Sequence, residues 1–292
     1  MGTRQLSPAP GGSRNSSKGD DCGMKLSVSN IAWTKEQDRI VYDRMRAMGF
    51  TGLEIAPTRI FQEAPYEQLT EAAKWADALQ KEEGFAVPSM QSIWYGRSEQ
   101  LFGSPAEREA LLDYTKKGIS FAAAIGCGNL VFGCPRNRNV PEGKLACCAQ
   151  LEEEAVSFFR VIGDEAHWQG TVIGMEANPV MYHTNFINDT QSALALIEAV
   201  DSPGFRLNLD LGTMLQNEEP LSLLEGNVHL VNHVHISEPG LAPVEKRSLH
   251  RDLARVLSAE GYQGFVSIEM GRQPEVSVLF DCMEYVADIF AK

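Results

Sequence analysis

Eight short runs of β-branched or apolar residues recur along the chain, separated by longer stretches of helical periodicity, and this alternation limits the fold to repeated βα units. The runs fall at 26–31, 52–56, 86–93, 129–134, 171–177, 205–211, 230–237 and 265–270. Helical stretches lie between and after them at 36–48, 66–83, 105–125, 144–168, 191–200, 249–260 and 275–291, with only the sixth crossover, around 221–224, thin. A parallel sheet is the expected result. A doubly wound open sheet normally carries a glycine-rich nucleotide turn after its first strand. Here that position reads SNIAWTKEQ, so an α/β single-domain (β/α)8 barrel is the expected architecture.

Residues 1–23 are rich in Gly, Ser and Pro and carry almost no bulky apolar side chain to offset the entropy of ordering. They are expected to form a disordered extension. The remaining residues, 24–292, match the size of one large barrel. Net charge is −13, which repels nucleic acid and anionic membrane surfaces. No apolar run approaches a membrane span and no secretory leader is evident, so a soluble, cytoplasmic protein is expected. The six cysteines include no Cys-x-x-Cys pair; they read as reduced thiols rather than a zinc ribbon or redox dithiol.

Side chains alternate faces along a strand. In the fifth run Ile173, Met175 and Ala177 oppose Gly174, Glu176 and Asn178; in the sixth, Leu207, Leu209 and Leu211 oppose Asn208 and Asp210. In the seventh, Val234 and Ile236 oppose His233, His235 and Ser237, and in the eighth, Val266, Ile268 and Met270 oppose Ser267 and Glu269. Each strand thus has an apolar face for a helix layer and a polar face near its C-terminal end, which a barrel turns into its mouth. Glu176, Asp210, His235 and Glu269 are each about one βα unit apart and are expected to converge.

Three carboxylates and an imidazole in a low-dielectric mouth require a compensating cation, because like charges disfavour one another. A divalent metal supplies it. Oxygen-rich ligands with one histidine and no thiolate favour Mn²⁺, Mg²⁺ or Co²⁺ over a structural Zn²⁺, although Zn²⁺ can compete. Manganese is the preferred choice.

The segments GMEANP around Glu176, LNLDLGTM around Asp210, HVHISEPG around His235 and SIEM around Glu269 resemble the xylose isomerase-like TIM barrels of the sugar phosphate isomerase/epimerase group. The resemblance runs from Met24 to Lys292 and also takes in GLEIAPTRIF around Glu54 and VFGCPRNR around Arg136. It implies that Glu176, Asp210, His235 and Glu269 bind one metal and that Glu176 and Glu269 double as acid and base. Such a metal would chelate the carbonyl and adjacent hydroxyl of a sugar and stabilise a cis-enediolate. Proton return to the same carbon from the other face is epimerisation; return to the neighbouring carbon is isomerisation.

Two positions depart from the ketose 3-epimerases of that group. Thr213 stands where they carry a histidine and Leu241 where they carry an arginine, so free-ketose specificity does not carry over. Around the four ligands, His233 reads as a hydrogen-bonded neighbour, and Glu238 and Asn208 as groups that orient others or touch substrate. Thr213 can hydrogen-bond a hydroxyl. Glu54 faces the mouth or forms an interior ion pair. Gln91 and Asn178 are neutral partners for sugar hydroxyls or satisfied core amides. Arg136 and Arg138 clamp a phosphate or acidic group, or pair with local acids. Trp33, Trp94 and Tyr95 wall the pocket or simply pack, and Tyr182 and His183 sit on a loop that can reach substrate from above.

The expected function is divalent-metal-dependent isomerisation or epimerisation of a small sugar, sugar acid, cyclitol or sugar phosphate. Dehydration of a keto-cyclitol by the same barrel and non-catalytic polyol binding are the alternatives. An abasic-site endonuclease needs several zinc ions and a basic stripe, which six histidines and a net charge of −13 do not supply. The expected partner is a small carbohydrate, without nucleic acid or membrane; pairing into a homo-oligomer is left open.

Overall fold

In a computed structural model, residues 23–144 and 148–291 are described. The expected disordered extension, 1–23, lies outside the described residues apart from Gly23, and Cys22 and Cys147 lie outside them too. Among the described residues, seven parallel strands form one sheet in the order β2-β1-β7-β6-β5-β4-β3. They are β1 (Lys25–Ser29), β2 (Gly52–Glu54), β3 (Leu130–Phe132), β4 (Ile173–Met175), β5 (Phe205–Asp210), β6 (Val231–Ile236) and β7 (Phe265–Ile268).

The third expected strand, 86–93, is the exception. It forms single parallel bridges, Ala86 to Gly52 and Met90 to both Ile55 and Leu130, and so closes the gap between β2 and β3. Pro88 sits at its centre and has no N–H to give a ladder. The flanking groups compensate: Ala86 N–H donates to Thr51 O at 2.9 Å, Gln91 N–H to Ile55 O at 2.8 Å and Val131 N–H to Met90 O at 2.8 Å. The closed barrel therefore has eight staves, seven of them regular strands.

Helices cover the outside where periodicity placed them. The main ones are Asp38–Ala47, Leu69–Ala78, Pro105–Ala124, Cys148–Trp168, Thr190–Val200, Ser248–Ala259 and Val276–Phe290. The thin sixth crossover is a 3-10 turn, Leu221–Leu224. The apolar strand faces meet this layer: Leu207, Leu209, Val234, Ile236, Val266 and Ile268 are buried, and Phe159 of the helix layer stacks on Phe205 with ring centroids 4.9 Å apart. Burying such side chains contributes about 1.5–3 kcal/mol each.

The other strand face is largely polar, with Val131 of β3 an apolar exception at the cavity wall. Ser27, Ser89, Asn129, Asn208, His233 and Ser267 are buried inside the barrel, where layers of Val, Ile and Leu are usual. Asn129 Nδ2 bridges Ser89 Oγ and Asn208 Oδ1, both at 3.1 Å. A bulge on β6 sets the register above this layer, because Leu207 pairs with Val231 and the next residue, Asn208, pairs with His233. Asn232 is the extra residue. The shift brings Asp210 beside His235, which a continuous ladder would not do.

Candidate active site

Glu176, Asp210, His235 and Glu269 offer ligand atoms that all lie within 4.8 Å of one another. They stand at the C-terminal ends of four neighbouring staves, β4 to β7, where barrel enzymes place their chemistry. His235 Nδ1 is 3.0 Å from Glu176 Oε1 and 3.2 Å from Glu269 Oε2. Among the described residues, no lysine or arginine head group forms an ion pair with any of the three carboxylates.

The imidazole is held from behind. Its Nε2 lies 2.8 Å from Glu54 Oε2, and a carboxylate can only accept, so Nε2 carries the proton. Burial opposes the charge on Glu54, but His235 and His233 outweigh it and hold the carboxyl well below its ordinary value. Nδ1 is then left facing two carboxylate oxygens. A lone pair there is repelled unless a proton or a cation sits between. Accordingly, although burial opposes an imidazolium, Glu269 and Glu54 hold the His235 value well above its usual one.

The carboxylates are individually oriented. Asp210 caps the short helix Leu211–Gln216, its Oδ2 accepting from Thr213 N–H at 2.8 Å. Ser237 Oγ donates to Asp210 Oδ1 and accepts from Gly212 N–H at 2.8 Å. Glu176 accepts from Asn208 Nδ2 at 2.9 Å and Asn178 Nδ2 at 3.1 Å. Gly133 fits against it by having no side chain, since a Cβ there would lie 2.7 Å from Glu176 Oε2. Burial, with Glu176 nearby, raises Asp210. Burial raises Glu269 to about 7, with Glu176 and Glu54 adding to the shift against His235.

A cavity of about 680 Å³ opens onto the cluster, lined by Glu176, Asp210 and Glu269 together with Gln91, Asn178 and Ser237. The donor set fits a divalent cation. It combines three carboxylate oxygens, one imidazole nitrogen with its lone pair directed inward, and a fourth carboxylate, Glu54, fixing the ring from behind, as metal-bound histidines usually have. Glu54, His233 and His235 also lie close enough together to hold an ion. All three are buried, and His233 Nε2 is 3.1 Å from the same Glu54 oxygen. His235 Nε2 is hydrogen-bonded to Glu54, while His233 Nε2 finds no aligned hydrogen-bond partner among the described residues.

The remaining expected site residues separate by position. Gln91, Trp94, Arg136, Asn178 and Glu238 line the cavity, as do Tyr95 and Tyr182. Glu54 lies behind His235 and not in the mouth. Gln91 Nε2 contacts Ser29 Oγ at 2.6 Å and Glu54 Oε1 at 3.1 Å. Asn208 and His233 lie beneath this cluster, and the Thr213 hydroxyl sits between Asp210 Oδ2 at 2.7 Å and Ala177 O at 2.8 Å. Glu238 reaches the wall, but Arg247 grips both its oxygens at 2.7 Å.

Arg138 and Trp33 do not reach the cavity wall. Arg138 is fully buried, and its guanidinium donates to Glu176 O and Asn178 Oδ1 at 3.0 Å and to Ile187 O at 3.3 Å. Burial lowers it to about 10, so it remains charged at neutral pH and positions the Glu176 backbone. Trp33 is buried with its indole N–H on Asp38 Oδ1 at 2.7 Å, a packing role. Arg136 is exposed at the cavity wall. His183 is exposed and, unlike Tyr182, is not part of that wall. Of the cysteines, Cys134 lines the cavity and burial pushes its thiol up to about 12, so it is a poor nucleophile.

Two contacts lie outside the sequence-based expectations: the Ser237 hydroxyl donating to Asp210, and the Arg247 grip on Glu238. Strand parity could have supplied the first, since Ser237 shares the inward face of His235. The second depends on the loop after β6 folding back, and no local pattern announces it.

Residues 42–284 match the xylose isomerase-like TIM barrel family. Among solved structures, the 3-keto-D-glucoside 4-epimerase YcjR from E. coli is 22% identical, with a TM-score of 0.71 over 91% of this chain and 99% of that one. A D-psicose 3-epimerase is 16% identical with a TM-score of 0.69, covering 92% of this chain and 97% of that one. An L-ribulose 3-epimerase is 13% identical with a TM-score of 0.69, covering 91% and 92%. At these identities the likeness is one of fold. No curated protein matches the chain by sequence.

Proposed function

We propose that this chain, which belongs to the xylose isomerase-like TIM barrel family, is a divalent-metal-dependent isomerase or epimerase of a small sugar or sugar derivative. One observation carries the reading. Three carboxylates that line a cavity converge with the Nδ1 of His235 within 4.8 Å, and among the described residues no lysine or arginine pairs with them. The sugar epimerases among its structural neighbours are consistent with it.

Glu176, Asp210, His235 and Glu269 would hold the ion. When bound, a divalent cation supplies stabilisation for the negative charge that develops on adjacent sugar oxygens; Mn²⁺ suits the oxygen-rich set, and Mg²⁺ or Co²⁺ are alternatives. Glu176 and Glu269 end β4 and β7, the outer two of the four staves, and flank the space between them. One carboxylate takes the proton from the carbon beside a carbonyl, and the other, itself protonated, delivers its own proton from the opposite side. Asn208 and Asn178 keep Glu176 oriented, Ser237 and Thr213 keep Asp210 oriented, and Gln91, Asn178 and Tyr182 are placed to meet sugar hydroxyls. Trp94, with its indole N–H bonded to Thr115 Oγ1 at 2.8 Å, forms an apolar wall that limits water during the transfer.

The test is solvent deuterium exchange. Metal-loaded protein incubated in deuterated water with a panel of sugars, sugar acids and cyclitols should place deuterium at a carbon beside the carbonyl of its substrate, and Glu269→Gln should stop this while substrate still binds. Binding without exchange across the panel would leave a polyol-binding barrel instead.

A further inference from the structure

A second cavity, of about 560 Å³, adjoins the one above the acid cluster. Its wall includes Thr58, Arg59 and Gln62, and Ser92 and Tyr95 line both cavities. The first cavity, at about 680 Å³, is already within the range that encloses a drug-sized ligand, and one sugar ring leaves much of it empty.

The boundary between the two is built by a tight turn. Ser92 has a left-handed backbone, φ +57, and its carbonyl accepts from Tyr95 N–H at 2.9 Å. Such strain in a non-glycine residue costs about 1 kcal/mol or more and tends to occur at ligand clamps. The turn splits two adjacent aromatics: Trp94 is buried, whereas Tyr95 is 70% exposed. A tyrosine ring standing at a cavity rim gives a flat apolar face and a hydroxyl, which suits the mixed surface of a sugar ring.

Beyond Tyr95 the wall mixes apolar groups, Ile31, Ala56, Ala64 and Pro65, with a few polar ones. Thr58 and Gln62 can meet hydroxyls, while Arg59 pairs with Asp38 and lies over the Trp33 ring, 5.3 Å from its centroid. That arginine is already engaged, so the second cavity favours a neutral hydroxylated group over a phosphate.

We propose that the second cavity is a subsite for a second sugar ring, and that the molecule bound is a disaccharide-sized glycoside whose reacting ring sits above Glu176 and Glu269. This rests on the sugar reading of the site. Calorimetric titration of the metal-loaded full chain with a panel of hexoses and ketohexoses, and of disaccharides built from them, tests it. At least one disaccharide should bind about tenfold or more tightly than either component sugar. Tyr95→Ala and, independently, Gln62→Trp, which fills the second cavity from an exposed position, should bring that ratio towards one.

No disaccharide outbinding its components, or a ratio indifferent to both substitutions, would overturn the subsite. Deuterium exchange on the same mixtures separates the two claims. Exchange without disaccharide preference removes the subsite and leaves the isomerase; preference without exchange leaves the subsite and removes the isomerase.

Discussion

Glu54 Oε2 lies 2.8 Å from Nε2 of His235, so a carboxylate on β2 fixes the ring of a histidine on β6 from across the barrel. This pairing decides which nitrogen faces the cluster. Glu54→Gln should weaken manganese binding about 10–100-fold, the usual loss when the partner of a metal-bound histidine is removed. Competition with a chelator of known affinity measures it, and unchanged affinity would show that Glu54 serves packing alone.

Gly133 sits where a Cβ would meet Glu176 Oε2 at 2.7 Å. Gly133→Ala should therefore displace that carboxylate, weakening metal binding and exchange. The cost to stability should be about 1–3 kcal/mol, as for overpacking elsewhere. Parallel thermal melts and manganese titrations check both parts; a normal metal affinity would mean that the carboxylate moves aside freely.

Arg138 donates to Glu176 O and Asn178 Oδ1 and lies buried behind them. Arg138→Met should leave those acceptors unpaired and cost about 1–3 kcal/mol of stability, read by denaturant unfolding. It should not change affinity for inorganic phosphate. A selective loss of phosphate binding in a stable variant would restore the clamp role that the loop sequence suggested.

His250 gives the pH dependence a specific contribution away from the site. Burial lowers its value from 6.5 to about 4, and its Nδ1 is 3.0 Å from the Tyr285 hydroxyl. The unfolded chain therefore takes up a proton at higher pH than the folded one. Stability falls as pH drops from about 6.5 to about 4, by up to about 3 kcal/mol, and is retained above that window. His250→Gln should flatten this slope in urea melts at stepped pH; an unchanged slope would assign it to other groups.

Much of this was legible in the sequence because strand parity and βα spacing are local patterns. Glu176, Asp210, His235 and Glu269 were placed by inward parity at run ends, and the structure brings those four together. What failed to show was non-local or depended on backbone detail. Pro88 reduces the third strand to bridges, although its apolar run reads like the others. The bulge at Asn232 sets the alignment of Asp210 with His235, and no residue type there signals it. Arg138 and Arg136 are two residues apart and look equivalent, yet one turns inward to backbone carbonyls and the other lines the cavity. Thr213 has the chemistry of a substrate contact, but its place in the first turn of Leu211–Gln216 commits its hydroxyl to Asp210 and Ala177.

The central claim is that Glu176, Asp210, His235 and Glu269 hold one divalent ion. Anomalous diffraction at the manganese edge, from crystals of the full chain soaked in Mn²⁺, tests it most directly. The account predicts one peak per chain within coordination distance of His235 Nδ1 and the three carboxylates, abolished by Asp210→Ala. No peak at that position in a well-folded crystal, or an ion bound only elsewhere, would contradict it.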